Sequence, residues 1–204
     1  MPACQRIFLL FCLMFNSVLF AQEKEIVEDV REFQKELNEE FRNPETSPLD
    51  KDDLAEFKEL DFFEIDPDFR VKAELVRTPA EPPFMMKTST DRTPVYVKYG
   101  ELYFTLKGKK FKLNVYQSQE LKQDPEYYDY LFLPFTDLTN GISTYGNGRY
   151  IDLRIPETNE VVIDFNKAYN PYCAYSGRYS CPIPPEENDL DIEIPAGVKS
   201  YKDH

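Results

Sequence analysis

From Phe62 onward the chain alternates, and that alternation restricts the fold more than any other feature. Phe69, Val71, Ala73 and Leu75 are separated by Arg70, Lys72 and Glu74, the two-residue period of a strand with one buried face. Val95–Tyr99, Leu102–Lys107 and Lys110–Tyr116 follow, punctuated by Gly100 and Gly108, and read as a meander of tight hairpins. Leu131–Phe135, Tyr150–Ile155, Val161–Phe165 and Leu190–Ile194 supply four more β-rich runs. No helical stripe separates them, which disfavours a parallel βαβ sheet. The fold class expected is mainly β (α+β): an antiparallel barrel or strongly bent sheet with two N-terminal helices packed outside.

The helices belong to a region at 22–61, which forms one globular unit with the β-rich domain at 62–204. Ile26, Val30, Phe33, Leu37 and Phe41 recur at intervals of three and four among Glu, Lys and Gln, and end before Asn43-Pro44. That stripe predicts a helix over 23–42. Ser47-Pro48, with acids at Asp50, Asp52 and Asp53, opens a second over 48–60, its apolar side Leu54, Phe57 and Leu60. Packing onto the sheet is the first role for both helices; recruiting a protein partner is a second role for 23–42.

Residues 1–21 read as a signal peptide. Arg6 precedes a run from Ile7 to Phe20 in which only Asn16 and Ser17 are polar, Ala21 closes it, and Gln22-Glu23-Lys24-Glu25 follows. The run is short for a permanent anchor, which needs about 18 apolar residues. The expected location is therefore exported, periplasmic or extracellular, with no stable membrane insertion after cleavage. A net charge of −13 argues against nucleic acid as a partner. The single histidine, His204, is the last residue, which removes Ser-His-Asp and Cys-His catalysis and histidine-ligated zinc chemistry. No cofactor motif and no metal-ligand spacing is present. Asp137-Leu138-Thr139-Asn140-Gly141 lacks the spaced acids of a calcium loop and reads as a turn capped by Asp137.

The segment 134–188 has its own character. It carries Pro-Phe-Thr-Asp-Leu-Thr-Asn-Gly, then Thr-Tyr-Gly-Asn-Gly-Arg-Tyr-Ile-Asp, then Asp-Phe-Asn-Lys-Ala-Tyr-Asn-Pro, and finally Cys-Pro-Ile-Pro-Pro-Glu-Glu-Asn. With Ser47-Pro48-Leu49 and Phe69-Arg70-Val71, it resembles the uncharacterised bacterial family catalogued as domain of unknown function 1684. The resemblance covers nearly all of the chain after the signal and is most specific from Asp164 to Asn188. It departs where Ala196-Gly197-Val198 stands in place of Ala-Gly-Glu. The resemblance brings no established activity.

Within this segment, a three-residue loop at Thr158-Asn159-Glu160 would pair Ile155 with Ile163 and Leu153 with Phe165 on one face. Arg154 would then oppose Asp164, and Asp152 would oppose Asn166, on the other. Arg149 shares parity with Ile151 and Leu153, so its guanidinium starts inward and must be paired. Its partner is either an internal carboxylate, Asp137 or Asp164, or an anionic ligand at a barrel mouth. Six of the 14 tyrosines, Tyr145, Tyr150, Tyr169, Tyr172, Tyr175 and Tyr179, crowd the same stretch.

These features set the leading expectation, a non-enzymatic binding module for a small polar or anionic ligand. Its candidate site is Arg149, Tyr150, Asp164, Asn166, Tyr169 and Asn170. The alternatives are a histidine-free hydrolase using paired carboxylates Asp152 and Asp164, or an envelope scaffold. Cys173 and Cys181, with seven residues between them, are expected to form a disulfide in an oxidising compartment, stabilising the fold by roughly 2.5 kcal/mol; two packed free thiols are the alternative.

Overall fold

A computed structural model describes residues 3–202, with side chains from Glu23 onward. The side chains of residues 1–22, Cys4 and Cys12 of the expected signal peptide among them, and His204 lie outside the described residues. α1 (Ala3–Arg42) is followed by the short α2 (Lys51–Glu56), and eight strands come after. These are β1 (Arg70–Arg77), β2 (Phe84–Met85), β3 (Val95–Leu106), β4 (Lys109–Ser118), β5 (Tyr130–Asp137), β6 (Arg149–Arg154), β7 (Glu160–Asp164) and β8 (Asp189–Leu190). Among the described residues no helix is long and apolar enough to cross a membrane.

The protein is mainly β. Six strands run antiparallel in the order β6-β5-β4-β3-β1-β7, with β2 on β3 and β8 parallel to β5. The sheet curls strongly into a half-barrel. Its two ends, β6 and β7, are joined by only Ile155–Asn159, a link that spans at most about 20 Å. The core inside the curl collects Leu102, Leu113, Leu131, Leu133, Phe135, Ile151, Ile163 and Phe165, all nearly inaccessible.

The structure alters the expected hairpins in two places. Gly100 is no turn: β3 runs straight through it with a bulge at Lys98/Gly100. A Cβ there would stand 2.7 Å from the Val76 carbonyl oxygen, so the glycine allows β1 to approach. The reversal comes at Lys107-Gly108, both with positive φ, as a two-residue hairpin requires. The loop at 158–160 makes no hairpin either. β6 pairs with β5 and β7 with β1, so Arg154 binds Asp129 at 2.7 Å and Asp164 binds Arg70 at 2.7 Å. The face parity of both strands stands, because it depends on the strand period and not on the neighbour.

α2 is shorter than 48–60 because the chain leaves helix at Phe57. Leu60 is drawn out to α1, its N–H donating to Asn38 Oδ1 at 2.8 Å. Likewise only Leu190 of the run 190–194 is strand, as the second residue of β8. The backbone beyond turns inward toward Arg149, Ile194 and Ala196 offering it their carbonyls. α1 is built into the domain. Val30 and Phe41 are buried, and Phe41 meets Tyr175 edge-on at 4.8 Å. Asp29 ties the helix to Arg70 and Lys167, each at 2.8 Å. Two members of the apolar stripe, Val30 and Phe41, are thus engaged within the chain.

Candidate functional site: a tyrosine-walled cavity under the first helix

β5 is buried on both faces. Leu131, Leu133 and Phe135 enter the main core, while Tyr130 and Phe132 turn to the opposite face beside Tyr150 and Asp152 of β6. Pairing places Phe132 directly opposite Asp152. Over this second face lie Phe33, Leu37 and Glu40 of α1, together with the loop from Tyr169 to Pro182. Between them is a cavity of about 400 Å³, walled by Tyr96, Tyr130, Phe132, Tyr150, Tyr169, Tyr172 and Tyr179.

The rings stand at steep angles, as the walls of a box do. Tyr150 is perpendicular to Tyr169 (90°, centroids 5.9 Å apart), and Phe132 meets Tyr150 at 74° and 4.7 Å. Tyr150 is locked by donating its hydroxyl to the Pro182 carbonyl. At the floor, Oδ1 of Asp152 accepts hydroxyls from Tyr130 at 2.6 Å and from Tyr169 at 2.7 Å. No donor among the described residues reaches Oδ2. Tyr172 donates to Glu40 Oε1 at the α1 side.

Asp152 is open to water through the mouth but crowded by rings on its other sides. That crowding pushes its carboxyl pKa up, against the pull of the two phenols and of Arg154. The same crowding raises Tyr130 and Tyr169 well above ordinary phenols. Both hydroxyls therefore keep their protons and act as donors at neutral pH.

Only Tyr150 and Tyr169 of the six expected site residues face this cavity. Arg149 is wholly buried. It donates to Asp137 Oδ2 at 2.8 Å, to the Ile194 carbonyl at 2.9 Å and to the Ala196 carbonyl, and it lies 5.3 Å over the Phe135 ring. This is the internal-carboxylate alternative, and the fork geometry of a guanidinium suits three acceptors. Burial presses its pKa down and Asp137 opposes.

Asp164 is engaged by Arg70 and by the N–H and amide of Asn166. Asn166 in turn clamps the backbone of Asp66, and Asn170 holds the Lys199 carbonyl. These four residues knit loops to the sheet. Asp152 and Asp164 share no partner, so the geometry assembles no carboxylate pair from them. Asp137 caps its turn through Thr139, as expected. Among the described residues no group of three or more His, Cys, Asp or Glu is placed to hold a metal.

The sequence reading missed Tyr96 and Phe132, which it took for ordinary strand residues, Tyr130, which it placed in no strand, Phe33 and Leu37, which it took for packing, and Glu40, which it left on the helix's charged outer face. The signal available was double-sided apolarity in Leu131–Phe135, unusual for a strand with one wet face.

Cys173 and Cys181 are unbonded here but adjacent: the Cys173 N–H donates to Cys181 Sγ at 3.1 Å. Cys181 lines the cavity. Hydrogen bonding from Cys181 brings the half-buried Cys173 thiol down to about 6, while the Cys181 thiol is pushed up.

No curated protein matches the chain. An uncharacterized protein of Haloarcula marismortui, solved by solution NMR, is 31% identical, with a TM-score of 0.70. The match covers 90% of this chain and 99% of that one. Residues 55–199, which contain the whole sheet and all of the cavity except its α1 wall, match the family described as Protein of unknown function (DUF1684), and the chain belongs to that family.

Proposed function

We propose that the protein is an exported, non-enzymatic module that binds a small polar ligand in the cavity between α1 and the outer face of β5 and β6. One observation carries the reading: a concave, mostly aromatic space of about 400 Å³ lined by two carboxylates, Asp152 and Glu40, each with one oxygen that no donor among the described residues reaches. Binding sites combine apolar walls with a few oriented polar groups in this way. Export rests on the apolar run Ile7–Phe20 between Arg6 and Ala21. In the compartment it implies, the adjacent thiols of Cys173 and Cys181 would close a disulfide behind the cavity wall.

The ligand of this reading does not meet Arg149, whose guanidinium is spent on Asp137 and two carbonyls. A fragment library screened by NMR tests the proposal. Ligands should shift the ring signals of Tyr130, Tyr150 and Tyr169 and leave the exposed Tyr103 and Tyr128 unmoved. A library that perturbs no cavity ring, or only exposed ones, rejects it.

A further inference from the structure

We infer that the ligand class selected by this cavity is an organic cation, an alkylated ammonium; the inference rests on the binding role proposed above. The walls and the charges agree. Tyr150 and Phe132 meet at 74° and Tyr150 and Tyr169 at 90°, so the aromatic walls present rings in more than one orientation. The face of an aromatic ring is negative and attracts a cation within about 6 Å of its centroid.

The charged residues lining the space are Glu40 and Asp152, both acids. The neighbouring cations are committed elsewhere. Lys167, 5.8 Å from the Phe33 ring, is paired with Asp29, Arg154 is paired with Asp129, and Arg92 donates to the Ser180 carbonyl. An anion entering here would meet two carboxylates in the lining, while Arg92 beside Ser180 and Arg178 over the Tyr179 ring lie outside it.

The hydrogen-bond inventory narrows the class. A primary ammonium brings three N–H donors and needs an acceptor for each. Among the cavity acceptors, Asp152 Oδ1 already takes two phenols, the Pro182 carbonyl takes Tyr150, and Glu40 Oε1 takes Tyr172. Asp152 Oδ2 and Glu40 Oε2 remain to face a positive charge, fewer free oxygens than a primary ammonium has donors. A cation whose nitrogen is covered by methyl groups needs no further acceptor and gains contact with the rings.

The test compares choline with its uncharged isostere 3,3-dimethylbutan-1-ol, titrated into the mature protein and followed by the ring signals of Tyr130, Tyr150 and Tyr169. Choline should bind at least tenfold more tightly than the alcohol. Asp152→Asn should weaken choline at least tenfold and leave the alcohol unchanged. Equal affinity for the two probes, or choline binding indifferent to Asp152→Asn, overturns the cation selectivity while the binding role stands. Cavity shifts by library fragments with none by choline have the same meaning. A cavity silent to both probes and to the whole library overturns both readings.

Discussion

Nη2 of Arg149 lies 2.8 Å from Oδ2 of Asp137, and neither side chain is exposed to solvent. Asp137 also accepts from the N–H groups of Thr139 and Ile194, so the pair holds together β5, β6 and the terminal segment. Breaking such a pair from one side leaves an uncompensated buried charge. Arg149→Met should therefore cost about 3–5 kcal/mol, read as a lower urea midpoint with unchanged slope. Arg149→Lys should recover little of it, since one ammonium cannot reproduce a fork that reaches Asp137 and two carbonyls.

Asp152 should show the opposite sign. Its folded-state pKa is raised above 3.8 by the rings around it, so the folded protein holds this proton more tightly than the unfolded chain. Stability from this group is greatest below 3.8, declines as pH rises through the elevated value, and stays reduced above it. Asp152→Asn removes that loss. The variant should melt higher than the parent at pH 7, and the gap should narrow as pH falls toward 3.8. An equal or lower melting temperature at pH 7 would show that the two phenol hydrogen bonds outweigh the crowding. A stabilising change at a cavity floor is what a site shaped for binding implies.

Gly148 gives a backbone test. Its φ of +87° and the space around it both demand glycine: a Cβ would sit 2.6 Å from the Phe135 carbonyl oxygen. Gly148→Ala should cost about 1–3 kcal/mol or more. Gly177 has no heavy atom within 4 Å of a built Cβ. Gly177→Ala should be neutral or stabilise by about 0.4–1 kcal/mol. Chemical denaturation of the two variants side by side reads the difference.

The thiols make a paired prediction. In reduced protein, iodoacetamide should modify Cys173 first, with a rate that rises through pH about 6, while Cys181, raised and buried, should resist. Protein recovered from an oxidising compartment should titrate no free thiol after denaturation, and reduction should lower its melting temperature. Two titrating thiols would dismiss the disulfide.

Strand parity was legible from the residues alone. Arg149, Ile151 and Leu153 point inward together, as alternation requires, and the inward guanidinium announced its need for a partner. Neighbour choice was not legible. The five residues Ile155–Asn159 suit a hairpin as well as a link between two edges of a curled sheet, and period-two alternation does not distinguish them. The cavity was half legible for a related reason. Tyr150 and Tyr169 stood out in a tyrosine-rich stretch, whereas Phe33 and Leu37 belong to a stripe that looks the same whether it covers a core or a hollow. Asp152 was noticed as a carboxylate, but its phenol partners come from Tyr130, 22 residues earlier, and Tyr169, 17 later.

The cavity draws one wall from Phe33, Leu37 and Glu40 and another from the stretch between Tyr169 and Pro182. During synthesis these walls are separated by the time needed to make nearly the entire sheet. An emerging chain therefore carries the helix as an unpaired amphipathic surface, with Phe41 waiting for Tyr175, until the last strands are made. For that interval the helix is a surface in need of a temporary companion, and assembly of the hollow is the event that ends the need.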